Sequence, residues 1–98
     1  MIVTIGLLTL RLIGPQTLKT KRGMIRSLQN RVHNRFNLSV SEVDGLNDKA
    51  RGTIALANTG NSVEYSTGVL QDAIRFIERE IVGKAELVEI QTDVISPF

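Results

Sequence analysis

A ferredoxin-like α+β sandwich, a four-stranded antiparallel sheet with two helices on one face, is the fold this 98-residue sequence predicts. Two segments with helical apolar spacing alternate with four segments rich in β-branched residues, in the order βαββαβ. Glycine, proline and asparagine sit at the breaks between them. The length suits a single domain over residues 1–98 with a core of its own.

Ile2–Leu12 reads as the first strand. Both of its alternating sets are apolar: Val3, Ile5 and Leu7 on one face, Ile2, Leu8, Leu10 and Leu12 on the other. Such a strand is expected at the centre of a sheet, covered on both faces. Gly14-Pro15 breaks it, and Thr17 is expected to cap the helix that follows. That helix is expected over Leu18–Phe36, with Leu18, Ile25, Leu28, Val32 and Phe36 on one stripe. Asn37 is expected to end it in the left-handed conformation. Leu38–Val43 and Gly52–Thr59 read as a hairpin of strands, Ile54 and Leu56 pointing inward. A second helix is expected over Val63–Ile81, capped by Asn61 or Ser62 and ended by Gly83. Its main stripe is Val63, Leu70, Ile74, Ile77 and Ile81, with Tyr65, Val69 and Phe76 on a second side. Glu86–Ile95 reads as the last strand, with Val88, Ile90 and Val94 alternating against Glu89, Gln91 and Asp93. The two helices cover one side of the sheet only, so the second apolar face of the first strand predicts a homodimer. The expected dimer packs sheet on sheet or pairs edge strands.

Composition removes several function classes. There is no cysteine and one histidine, which excludes disulfides, thiolate sites and multi-histidine metal sites, and no cofactor is expected. The longest apolar run falls short of the roughly 20 residues of a membrane span and lacks a basic leader, so the expectation is a soluble, cytoplasmic protein with no membrane partner. No Ser/His/Asp constellation is visible, so no enzymatic activity is expected. Ile13–Gln16 is not the glycine-rich, arginine-bearing phosphate loop of the acylphosphatases. The four aromatics fall outside the predicted central strands, unlike the base-stacking residues of RNA-recognition modules.

Charge is the informative feature. The net charge is +2, but residues 1–41 hold seven Lys and Arg and no acid, while residues 42–98 hold five basic and ten acidic side chains. Lys19, Arg22, Arg26 and His33 line one side of the first helix, with Arg31 and Arg35 on the other flank. Lys19, Lys21 and Arg22 crowd the positive end of the helix dipole, where cations are disfavoured. A bound anion reverses that cost. Lys19, Lys21, Arg22, Arg26, Arg31, His33 and Arg35 are therefore the candidate polyanion-binding residues. Two other readings stay open: a solvated face neutralised by pairs such as Arg26 with Glu78 or Glu80, or a surface for an acidic protein. Lys21 itself lies near the apolar stripe and is expected to snorkel to solvent or to reach a carboxylate such as Glu42. Glu42, Asp44 and Asp48 read as partners of Lys or Arg, or as turn formers. Asn58–Ser62 matches no phosphate-loop pattern and reads as a turn and cap.

Gln16–Arg22 (QTLKTKR), Arg26-Ser27-Leu28, Arg35–Val43 (RFNLSVSEV), Val69-Leu70 and Arg75–Glu78 together resemble the YlxP-like family of small bacterial proteins, a domain of unknown function. Thr17, Leu18, Lys19, Lys21 and Arg22 match its S-L-K-x-K-R motif. The resemblance covers nearly the whole chain and implies the same βαββαβ fold. Members are often encoded among translation and ribosome-maturation genes, which implies an association with RNA or the ribosome and assigns no activity. Where the family usually has D-L-W-Q-R in the hairpin, Asp48-Lys49-Ala50-Arg51 lacks the tryptophan, so no role resting on it carries over. The leading expectation is a non-enzymatic accessory protein binding structured RNA or a ribonucleoprotein through the first helix. A protein-interaction dimer module and a small-anion or metabolite-binding domain are the alternatives.

Overall fold

The computed structural model describes residues 1–98. Its elements are β1 (Ile2–Leu12), α1 (Leu18–Arg35), β2 (Ser39–Asp44), β3 (Arg51–Gly60), α2 (Val63–Glu80) and β4 (Ala85–Ile95). The sheet order is β2-β3-β1-β4 and every pairing is antiparallel. Both helices lie on one face, so the ferredoxin-like α+β sandwich is the fold.

Local chemistry sets the boundaries. Thr17 is extended, and its hydroxyl accepts the Thr20 N–H at 3.1 Å, which starts α1. Ser62 does the same for α2 through Tyr65 N–H at 3.3 Å. Gly83, at φ +80°, supplies the left-handed residue that turns the chain from α2 into β4. The end of α1 differs from expectation. Asn37 is not left-handed, and Phe36 is the cap in extended conformation, donating its N–H to Val32 O. Phe36 is held there by its ring, which packs edge-on against Phe76 with centroids 5.7 Å apart.

β1 is central, as its double-sided apolar pattern predicts. Its even-numbered face meets the helices: Leu8, Leu10 and Leu12 are buried with Ile54 and Leu56 of β3, Ile25, Leu28 and Val32 of α1, and Leu70, Ile74 and Ile77 of α2. The odd-numbered face, Val3, Ile5 and Leu7, lies against no helix and is only partly shielded by its neighbours. Val63, expected on the inward stripe, is exposed, as is Tyr65; Ser66 is the residue of this first turn that faces the sheet, fully buried, its carbonyl accepting from Asn58 and Thr4. In β4 the expected strict alternation is broken. Thr9 pairs with Glu89 but Leu10 pairs with Leu87, so Val88 is the extra residue of a β-bulge. Leu87 and Ala85, rather than Val88, then face the core.

Candidate nucleic-acid interface on the first helix

Helical geometry divides α1 into three strips. The inward strip is Lys21, Ile25, Leu28 and Val32, all buried. Arg31 and Arg35 lie on the flank toward α2, and Lys19, Arg22, Arg26 and His33 on the opposite flank, as their spacing predicts.

Each cation meets a different environment. Lys21 is fully buried. Its Nζ donates to the carbonyl oxygens of Gly45 and of Asp48, the latter at 2.6 Å, and lies 2.9 Å from Glu42 Oε2. Glu42 Oε2 is buried and has no hydrogen-bond donor of its own, so the ammonium is its only compensation. Lys21 is thereby removed from the candidate polyanion-binding residues: its stem runs along the core side of α1 and its charge is spent inside the β2–β3 hairpin. The expectation that it reaches Glu42 is the part that holds. Arg31 pairs with Glu80 at 3.0 Å, and the Arg35 guanidinium lies 5.0 Å above the Phe76 ring centre. These two flank cations are engaged within the fold. The expected pairing of Arg26 with Glu78 or Glu80 does not form, because α2 runs along the other flank of α1 and Glu80 is taken by Arg31.

Lys19, Arg22 and Arg26 remain. All three are exposed, and none has a carboxylate at ion-pair distance. They follow one another at spacings of three and four residues, so they stand in a line up one side of the helix. No acidic residue occupies the first turn of α1 to offset them. His33 continues the line in the last turn, exposed, its Nδ1 3.4 Å from Leu38 O.

The acidic trio of the hairpin is structural in its contacts. Asp44 accepts its neighbour Gly45's N–H at 2.8 Å, and Asp48 accepts the N–H groups of Ala50 at 2.8 Å and Arg51 at 3.2 Å. The Ala50 N–H holds the Asp48 carboxyl below its ordinary value of 3.8, aided by the Arg51 N–H and the charges of Lys21 and Arg51, against a smaller opposing effect of desolvation. A carboxyl whose pKa is lowered by folding stabilises the fold above its unfolded value and loses that contribution as pH falls through the folded one. Acid titration of stability is therefore expected to show a loss beginning below about pH 4. Asp48→Asn keeps an oxygen acceptor but does not titrate, so this part of the loss should vanish. Identical acid profiles for the two proteins would show that the turn is not held by the charge.

One feature on the α2 flank had only a faint signal in the sequence. A groove of about 390 Å³ runs between α1 and the end of α2, floored by Ile13, Met24, Leu28 and Ile81 and edged by Arg31, Glu80 and Lys84. The helical spacing of Thr20, Met24, Ser27 and Arg31 marks the wall that α1 contributes. The neighbouring turn from α2 to β4 is invisible in that pattern. Asn58 and Ser62, in the segment read as turn and cap, are used structurally: Asn58 Nδ2 donates to Ser66 O at 2.9 Å and Ser62 caps α2. No helix is long and apolar enough to cross a membrane.

No curated protein matches the chain. Residues 3–92 match the family model described as "Protein of unknown function (DUF503)". That span takes in both helices, β2, β3 and most of β1 and β4, and with them the Thr17–Arg22 motif that starts the basic line and the hairpin that grips Lys21; the chain belongs to the DUF503 family.

Proposed function

We propose that this protein is a non-enzymatic accessory factor that binds structured RNA, or RNA within a ribonucleoprotein such as the ribosome, through the outer flank of α1. Lys19, Arg22 and Arg26 contact phosphates, and His33 extends the line at its far end. The carrying observation is selective: the other cations of the helix are engaged by the fold, whereas these three are exposed, aligned and without acidic partners. Lys19 and Arg22, near the positive end of the helix, destabilise it slightly when free and stabilise it when a polyanion is bound, and Arg26 extends the same line. None of the acidic side chains of the C-terminal half lies within ion-pair distance of Lys19, Arg22 or Arg26; Glu42 and Glu80 are taken by Lys21 and Arg31.

The test is binding to ribosomal RNA by wild type and by the Lys19→Ala/Arg22→Ala/Arg26→Ala variant at two salt concentrations. Neutralising three phosphates predicts an affinity loss of roughly 40-fold between about 50 and 200 mM salt. The triple variant should bind far more weakly and with a shallower salt slope. Its folding stability should be unchanged or slightly raised, since exposed cations leave the positive helix end. Equal binding by the two proteins, or no RNA binding by either, overturns the reading. Saturable binding of inorganic phosphate with no retention of RNA replaces it with a small-anion site.

A further inference from the structure

We infer that the outer edge of β4 is an interface between two copies of this chain, which join antiparallel about a two-fold axis at Thr92 into one continuous eight-stranded sheet. This inference stands whether or not α1 binds RNA.

β4 is the last strand of the order β2-β3-β1-β4, so its outer edge carries backbone N–H and C=O groups with no neighbouring strand. The two edges of the sheet are built differently. β2 is six residues long and its register breaks between Glu42 and Asp44, features that discourage strand addition. β4 is eleven residues long. Its bulge at Val88 lies toward its beginning, and from Glu89 to Ile95 its pairing with β1 is regular. That run contains no lysine, arginine or proline. On the helix side of this run, Ile90 and Val94 are 47% and 43% exposed. Beyond the bulge, Glu89 and Asp93 are the only charges, and the sequence leaves a regular, partly apolar edge without the lysine, proline or shortness that most often blunt one.

Within a pair of identical edges, the two acids select the register, and one register makes the edge complementary to itself. In an antiparallel two-fold pair a residue must lie opposite itself at the axis, because paired residues share a face. An axis at Glu89 or at Asp93 sets that acid against its own copy, and an axis at Gln91 sets Glu89 against Asp93. Like charges directly opposite one another are destabilising. An axis at Ile90 avoids this but carries the paired run through the bulge at Val88, where the alternation of faces is lost. An axis at Thr92 keeps the whole run beyond the bulge. It sets Ile90 opposite Val94 twice over, on the helix side, and Gln91 opposite Asp93 and Glu89 opposite Ile95 on the other face. Gly6, the β1 neighbour of Thr92, has no side chain to crowd the axis. A closed two-fold pair of this kind uses up both free β4 edges and leaves no further edge of that type to propagate from.

The chain contains no cysteine, so single-cysteine variants report the register directly. Thr92→Cys is expected to form a covalent dimer on mild oxidation, since opposed residues in antiparallel strands have Cα atoms about 4.5–5.5 Å apart, within disulfide reach. Ile90→Cys and Val94→Cys should each stay uncross-linked alone and cross-link when mixed. Sedimentation equilibrium should find a wild-type dimer, and Val94→Lys should be monomeric at the same concentration with an unchanged circular dichroism spectrum. A wild-type monomer overturns the inference. So does a dimer that neither cross-links through Thr92→Cys nor responds to Val94→Lys, which is the result for packing through the open sheet face.

Discussion

Lys21→Ala is expected to destabilise the domain by about 3–5 kcal/mol, the scale for removing one partner of a buried ion pair. The lysine is fully buried, and three oxygens depend on it: the Gly45 and Asp48 carbonyls and Glu42 Oε2. Truncation leaves the buried carboxylate oxygen without its counter-charge and takes a donor from both carbonyls, of which Gly45 O keeps the Asp48 N–H at 2.9 Å, besides emptying the space of the aliphatic stem. Gly52 is part of the same arrangement. A Cβ there would lie 2.9 Å from Glu42 Oε2 and 3.1 Å from Lys21 Cε, so the strand approaches the pair as closely as it does only because that residue has no side chain. The check is urea unfolding of Lys21→Ala beside Lys19→Ala, which should lie within about 0.5 kcal/mol of wild type as an exposed residue. A lowered midpoint at unchanged slope is the expected result for Lys21→Ala. Replacing the pair together, as Lys21→Met/Glu42→Leu, should recover much of the loss, because apolar groups of similar volume remove the stranded charge. A Lys21→Ala protein as stable as Lys19→Ala would mean that the ammonium is solvated and the hairpin is held by other contacts.

The two lysines show how far the sequence is legible. Helical periodicity alone places Lys21 on the inward strip and Lys19 on the outer flank, and Glu42 was recognisable as a carboxylate partner in the next strand. The two carbonyl acceptors were not, because backbone oxygens carry no mark in a sequence and become a cradle only when the turn Gly45–Asp48 closes over the amine. The same distinction explains the pairing of Arg31, rather than Arg26, with Glu80. Periodicity separates the two flanks of α1 but does not say which one faces α2; the packing of the helices decides that. The bulge in β4 was hidden for a third reason. Leu87 and Val88 are adjacent and both apolar, so either serves in an alternating pattern, and the choice depends on the match to Thr9 and Leu10 across the ladder. The end of α1 is hidden in the same way: asparagine tolerates the left-handed conformation wherever it stands, but the chain leaves the helix one residue earlier, at an extended Phe36 whose ring packs on Phe76, a contact between residues forty apart that no local pattern marks.

The strand whose sequence is most ambiguous offers the sharpest remaining test. In β1 the odd and even sets are equally apolar, yet they meet different surroundings. Leu8 is fully buried and paired across the sheet with Ile54 and Ile90, whereas Leu7, the next residue, is 38% exposed on the face without helices. Leu8→Ala is expected to cost about 3–5 kcal/mol, the upper part of the range for leucine truncation in a packed core. The site is lined by β1, β3 and both helices, and the sheet ladder restrains its walls from collapsing into the void. Leu7→Ala should cost clearly less, about 1–2 kcal/mol, since more than a third of its surface stays in water and its loss leaves an open dent rather than a closed cavity. Thermal or urea unfolding of the two variants measures the difference, and their concentration dependence adds a second reading. If Leu7→Ala proves nearly as damaging as Leu8→Ala, and its penalty shrinks on dilution of the wild-type reference, then the open face is covered by another molecule in solution. That outcome contradicts a dimer made solely through the β4 edge, because a pairing that extends the sheet sideways leaves Leu7 as exposed as it is in the single chain.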